Sequence, residues 1–324
     1  MYPVEKIIKN MTKNRLSSNT KKMTDITVSG RSGAGRYERI EAKFGISDGK
    51  EARILGVTVS GTPKSEVLKK IVQVCEKKAF TKPLFVVTAY SEFFLEAKED
   101  KKFAAALSAA DLVLPDGVSV PAAVDYLSGT SGNRAADFLG GLKIGIKVLR
   151  GEYRNKTIVG VKLTQELLEM AAKNHWRVFM LGGYGRTSEK LTYKLRQEHP
   201  GLAVEWDEGP QDLQSLTDDK YQITKALQDK IEKFSPDLLL VALGRYKQEK
   251  WIAANLNRFE AKMVMGVGSS FDEMLGEGPW AEKPPEYVER MGIKWAWRII
   301  RDPKHIKRAW RAFPVFAWRV FRSG

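Results

Sequence analysis

Leu238-Leu-Leu-Val-Ala-Leu-Gly-Arg-Tyr-Lys-Gln-Glu-Lys-Trp-Ile252 sets the architecture. Six apolar residues without alternation predict a strand over Asp237–Leu243 buried on both faces, the mark of a parallel sheet. Gly244 ends it, and the amphipathic stretch Gln248–Phe259 predicts a helix beginning within a few residues. The same unit recurs outward in both directions. Further strands are expected at Ile54–Ser60, Leu84–Ala89, Asp111–Pro115, Arg177–Leu181, Ala203–Trp206 and Lys262–Val267. Helices are expected at Pro63–Phe80, Ser91–Ala109, Ser119–Tyr126, Thr164–His175, Ser188–His199 and Lys220–Phe234. Strands alternating with helices imply an α/β fold, a Rossmann-like parallel sheet sandwiched by helices. In such sheets ligands bind beyond the carboxyl ends of the strands, so chemistry is sought in the turns after Ala89, Pro115, Leu181, Leu243 and Val267.

The chain has 324 residues, enough for one large core or two smaller ones, and Cys75 is its single cysteine. An intramolecular disulfide and a thiolate metal cluster are thereby excluded, and Cys75 is expected in the core. There is no run of about 18 uncharged apolar residues and no apolar secretory stretch within Met1–Lys22. The expectation is a cytoplasmic protein that does not span the membrane. The net charge of +15 is uneven: residues 1–22 carry +5, residues 290–324 carry +9, and the 267 residues between contribute +1. A nucleic-acid enzyme would more often spread positive charge over its cleft, so no nucleic-acid partner is expected. Three divisions follow: a flexible basic and polar leader over 1–50 with a short helix near Val4–Met11, an α/β body over 51–280, and a helical appendage over 281–324.

Gly182-Gly183, Gly244 and Gly266-Val-Gly268 follow buried strands, where a glycine admits a ligand to the backbone and the next helix offers free N–H groups to a phosphate. Such glycines also simply reverse an α/β chain. The segment Gly182-Gly-Tyr-Gly185 lacks the spacing of a dinucleotide fingerprint, and no acidic residue follows at the right distance, so a nicotinamide cofactor is disfavoured. Asp116 follows Leu112–Pro115 and precedes Gly117, a carboxylate at a strand's carboxyl end. It can take a proton from a hydroxyl nucleophile, or it can cap a helix. No D-x-D occurs, and His175, His199 and His305 are too scattered for a zinc site.

Six segments in order, VVTAYSEFFLEA (86–97), AADLVLPDGVSV (109–120), RVFMLGG (177–183), LLLVALGRYKQEKWI (238–252), MGVGSSFDEMLGE (265–277) and MGIKWAWRIIRDPKHIKR (291–308), resemble the WecG/TagA/CpsF family of bacterial glycosyltransferases. The resemblance runs from about Ile54 to Phe316. It implies a hexosyltransferase that moves an N-acetylmannosamine-type sugar from a UDP-sugar donor to a polyprenyl-diphosphate-linked acceptor in cell-envelope polysaccharide or teichoic-acid-like polymer synthesis. It further implies inversion, no metal or other cofactor, and a membrane-seeking C-terminal appendage. Carried over, the catalytic base falls on Asp116, a conserved threonine on Thr88 and the glutamine of a P-x-Q-E-x-W turn on Gln248. The UDP-sugar is expected over the glycine-rich turns at Gly182 and Gly183, and Arg298 or Arg308 beside a substrate diphosphate. Three places depart from the pattern: Tyr90 stands where the family usually has Asn, Thr157-Ile-Val-Gly-Val-Lys162 replaces R-V-x-G-x-D, and Glu282-Lys-Pro-Pro285 replaces a segment with Arg-Ala-Pro. The stretch Gly129–Lys156 is also longer and more apolar than expected. These departures leave open a different substrate or an inactive relative that binds nucleotide sugars or lipid-linked intermediates.

Trp295, Trp297, Trp310 and Trp318 interleave with the basic residues of the tail, which suits the anionic headgroup zone of a membrane. The alternatives are an amphipathic helix capping the core and an RNA-binding tail. Peripheral association with the inner face of the cell membrane is the expectation, and a homo-oligomer is possible.

Overall fold

A computed structural model describes residues 51–77, 79–210, 221–277, 306 and 310–324. The expected leader, the short helix near Val4–Met11, and Arg298 and Arg308 lie outside the described residues. Those that are described belong to one unit spanning Ile46–Gly324.

Six strands form a wholly parallel sheet: β3 (Leu84–Ala89), β4 (Leu112–Pro115), β5 (Val178–Gly182), β6 (Val204–Asp207), β7 (Leu238–Ala242) and β8 (Met263–Gly266), in the order β4-β3-β8-β7-β5-β6. Successive side chains leave a strand on opposite faces, and both faces are apolar. Phe85, Val87, Phe179, Leu239, Val241 and Val264 enter one core. Val86, Leu114, Met180, Leu238, Leu240 and Met265 enter the other. On the first face lie α2 (Ser91–Glu99), α3 (Lys101–Ala109), α4 (Ser119–Ser128), α8 (Lys225–Phe234) and α9 (Lys247–Asn255), which contribute residues such as Phe94, Phe103 and Trp251. On the second lie α1 (Lys64–Cys75), α6 (Gly160–Asn174), α7 (Thr187–Glu198) and α10 (Ser270–Leu275), with Ile71, Leu167, Leu195 and Phe271 among the buried contacts. The helix α5 (Arg134–Leu149) packs against α4, and α11 (Phe316–Phe321) closes the described chain. Cys75 ends α1, 2% exposed, and burial pushes its thiol up to about 12.

Four expectations are corrected. Ile54–Ser60 is not a strand of the parallel sheet but an antiparallel hairpin, β1 (Ala52–Ile54) and β2 (Val57–Val59), because Leu55 and Gly56 both take positive φ, 48° and 93°, and reverse the chain. Ser91–Ala109 is two helices. Asp100 is extended between them, and its carboxylate accepts from Lys102 N at 2.8 Å and Phe103 N at 3.0 Å, starting a new helix inside one apolar pattern. The helix expected from Thr164 begins at Gly160, and His175 stands just past its end at φ 56°. The helix expected to reach Phe259 gives way at Asn255 to a 3₁₀ turn over Leu256–Arg258.

The tail's described end is helical from Trp310 to Phe321 and packs on the body. Phe316 and Val320 are buried in the first core, while Trp310 and Trp318 are 65% and 57% exposed. The Arg311 guanidinium donates to Glu99 Oε2 at 3.0 Å.

Candidate active site

β3 and β4 end together, with Thr88 opposite Leu114 and Ala89 opposite Pro115, and Asp116 N donates to Ala89 O at 2.9 Å. That extra rung fixes the backbone of Asp116 at the sheet's carboxyl edge. Its carboxylate is partly buried, and Oδ2 accepts from Gly160 N at 3.3 Å. Gly160 opens α6, whose N-cap residue, Val159, supplies no side-chain acceptor. Asp116 therefore caps a helix, though one 44 residues away, and its carboxylate faces the positive end of that helix through the Gly160 N–H. A methyl group at Gly160 would lie 2.9 Å from Thr88 Oγ1 and 3.5 Å from Asp116 Oδ2. Thr88, Asp116 and the start of α6 thus share one corner, which only glycine leaves open.

The order of the sheet carries this corner into a continuous rim along the ends of β3, β8, β7 and β5. Past β3, Tyr90 stands at the head of α2, its ring edge-on to Phe93 at 4.6 Å. Glu92, in the first turn and 4% exposed, faces Arg245 from the loop after β7; Arg245 Nη1 is 3.4 Å from both carboxylate oxygens. Burial works against the Arg245 charge, but Tyr90 and Glu92 outweigh it and hold the guanidinium pKa above its ordinary value. Nearly half of the Arg245 side chain remains exposed at the rim. Tyr246 follows at φ 67°, its ring 4.9 Å from Phe103, and burial raises its phenol far above the usual range.

Gln248 and Glu249 begin α9, and both are buried. Gln248 Oε1 accepts from Gly268 N at 3.0 Å, and Gln248 Nε2 donates to Glu249 Oε1 at 2.7 Å, so both ends of the amide are held. Burial pushes the Glu249 carboxyl up to about 7, against the opposing hydrogen bond from Gln248. A methyl group on Gly266 would come within 2.6 Å of Gln248 Nε2 and 2.8 Å of Glu249 Oε1. Glycine at the end of β8 is therefore required for close approach of α9, besides any role toward a ligand.

At β5, Gly182 and Gly183 take φ of 86° and 98°. A methyl group on Gly182 would meet Ala242 O at 2.6 Å, and one on Gly183 would collide with Thr187 Oγ1. Beneath the turn, Thr187 Oγ1 donates to Asp272 Oδ1 at 2.8 Å, tying α7 to α10, and burial raises the Asp272 carboxyl pKa.

Thr88 and Asp116 thus both face Gly160 at the start of α6, while Tyr90, Gln248, Gly182 and Gly183 lie farther along the same rim. Sequence reasoning missed Gly160 as the partner of Asp116, the Glu92–Arg245 pair, and Glu249 as the support of Gln248. Glu92 and Arg245 both stand in turns that the strand pattern marks; Gly160 had no local signal, because its cap comes from a distant strand. Among the described residues no group of three or more His, Cys, Asp or Glu is placed to hold a metal ion.

The sequence model of the glycosyl transferase WecG/TagA/CpsF family matches residues 52–138 and 140–324. Two curated relatives from Staphylococcus aureus, strains MRSA252 and MW2, are each named N-acetylglucosaminyldiphosphoundecaprenol N-acetyl-beta-D-mannosaminyltransferase. They are 29% and 28% identical to this chain over 271 residues, which is 83% of this chain and 92% of each relative. With the match running from the first hairpin to the last helix and taking in every turn of the rim, the chain belongs to the WecG/TagA/CpsF family of glycosyl transferases.

Proposed function

We propose that the protein transfers an N-acetylmannosamine-type sugar from a UDP donor to a polyprenyl-diphosphate-linked acceptor, with inversion and without a metal ion, in the synthesis of a cell-envelope polysaccharide or teichoic-acid-like polymer. The observation that carries the reading is the corner of Asp116, Thr88 and the amino end of α6 at the carboxyl edge of adjacent strands, in a chain of this family. The relatives' names point to the sugar and the acceptor class.

In this reading the acceptor hydroxyl oxygen attacks the anomeric carbon from the face opposite the leaving group. Its proton passes to Asp116, and the bond to UDP breaks with its electron pair on the diphosphate. A single displacement of this kind inverts the anomeric centre. Thr88, beside Asp116, orients the acceptor hydroxyl. Gly182, Gly183 and the turn before Gln248 carry the donor, with Tyr90 alongside. Arg298 and Arg308 neutralise the departing diphosphate, helped by Arg245 on the rim. A lipid-linked acceptor keeps the enzyme at the inner face of the cell membrane, bound peripherally through the tail; among the described residues no helix is long and apolar enough to cross one.

The test is incubation of purified protein with a panel of radiolabelled UDP-sugars and a short-chain polyprenyl-diphosphate acceptor, with and without EDTA. Transfer of the N-acetylmannosamine-type sugar with inverted configuration, undiminished by chelator, is expected. Rescue of a chelated enzyme by Mg²⁺ or Mn²⁺ would refute metal independence. UDP binding without any turnover would favour the inactive, ligand-binding relative.

A further inference from the structure

Helix α5 is built inside out. Phe138, Leu139, Leu142, Ile146 and Leu149 are 50–84% exposed, and at 100° per residue they fall within one arc of about 100°. The opposite side docks on α4: Lys147 Nζ pairs with Asp125 Oδ2 at 3.0 Å, and a methyl group on Gly141 would touch Tyr126 at 3.7 Å. Asp137 is the helix's only acid; it is buried and accepts from Ser131 N at 2.8 Å. An ordinary surface helix turns its apolar arc to the core, and this one turns it to solvent.

The rim of the exposed arc is cationic. Arg134, Lys143 and Arg150 are all exposed, and among the described residues none of them forms an ion pair. The surface also continues onto the last helix. The Phe138 ring meets Phe321 edge-on at 6.2 Å, and Phe321 stacks on the exposed Trp318 at 5.7 Å. Arg322 stands exposed at the same end.

We infer that the outward face of α5 and the Trp318–Phe321 end of α11 form a single surface that inserts shallowly into an anionic lipid bilayer, α5 lying in the interface plane. The inference deepens the peripheral-membrane part of the proposed function and rests on it, moving the principal apolar contact from the basic tail to α5. An apolar arc bordered by cations and followed by a tryptophan fits a layer whose headgroups are anionic and whose interior is apolar. A two-fold contact with a second copy would instead set the cationic rim against itself. The 16-residue helix is about 24 Å long at 1.5 Å per residue, enough to lie along the interface and too short to cross the bilayer.

Full-length protein is sedimented with vesicles of phosphatidylglycerol and phosphatidylethanolamine, and with vesicles of phosphatidylcholine alone. Anionic vesicles are expected to retain the protein, and Leu142→Glu/Ile146→Glu to weaken retention at least about tenfold while transfer to a short soluble acceptor stays unchanged. Because Cys75 is buried, Ile146→Cys accepts an environment-sensitive dye selectively. Its emission should shift to the blue on anionic vesicles and be quenched by brominated lipids, a readout that stands if the charged double variant fails to fold. Unchanged sedimentation of a folded double variant, or an unshifted dye, would overturn the inference while leaving sugar transfer intact. The same follows if the double variant turns a dimer into a monomer and still binds vesicles, since α5 would then be a contact between copies. A wild-type protein indifferent to anionic vesicles would overturn both this inference and the peripheral association, and absence of transfer with vesicle results as expected would overturn only the transferase reading.

Discussion

Replacing Glu249 with glutamine isolates one buried charge and gives it a sign. Glu249 is 1% exposed, and burial pushes its carboxyl from an ordinary 4.5 up to about 7. The folded protein therefore holds this proton more tightly than the unfolded chain does. Between the two values the folded state binds more protons, so its stability falls as pH rises; the contribution is complete below about 4.5 and lost once pH passes through about 7. At roughly 1.4 kcal/mol for each pH unit separating the two values, the loss amounts to about 3 kcal/mol. Glu249→Gln removes the titration and keeps an acceptor for Gln248 Nε2. Urea denaturation of both proteins at pH 5 and pH 8 reads the effect directly. The wild type should lose about 2–3 kcal/mol more than the variant across that interval. A difference between the two proteins that does not change with pH would refute the assignment of a buried, protonated Glu249 and, with it, the account of how Gln248 is held.

Two further substitutions test the positioning of the rim. Gly266→Ala puts a methyl group within 2.6 Å of the buried Gln248 amide, so it should cost about 1–3 kcal/mol in thermal or urea unfolding and lower kcat/KM for transfer by about tenfold or more; a neutral result would show that α9 yields without moving Gln248. Asp100→Ala removes the cap of α3 and the 2.9 Å pair with Lys250, and should cost about 1–2 kcal/mol without altering the affinity for UDP, whereas a parallel loss of UDP binding would extend the site beyond the rim described.

The parts of this molecule legible in its sequence are those whose signal is local. Leu84–Ala89 is found to the residue and Leu238–Ala242 to within one, because a strand buried on both faces needs an unbroken apolar run. Asp116 is found because a carboxylate after such a run stands at the sheet edge wherever the strand pairs. The sequence pattern puts the start of α6 four residues late because Val159 and Gly160 carry no cap of their own, the acceptor coming from Asp116 across the fold. The break at Asp100 is masked in the sequence because apolar residues stand on both sides of it, Phe93, Phe94 and Leu95 before and Phe103, Ala106 and Leu107 after. Helix α5 escaped notice for the opposite reason: its apolar residues face solvent and its docking face holds Gly141, Ile144 and Asp137, so the sequence shows excess hydrophobicity rather than the usual two-sided pattern. Burial of Gln248 and Glu249, polar residues at the head of a helix, follows only from the close approach that Gly266 allows.

Whether Asp116 takes the acceptor's proton is read from the single-turnover rate of sugar transfer by Asp116→Asn beside the wild type, with UDP affinity and melting temperature recorded on the same samples. Asparagine retains an oxygen to accept from Gly160 N, so the fold and the UDP affinity should be nearly unchanged while the rate falls by about 10²–10⁴-fold, the range a positioned base contributes. A variant that keeps more than about a tenth of the wild-type rate would contradict the claim and leave Asp116 as the cap of α6 alone.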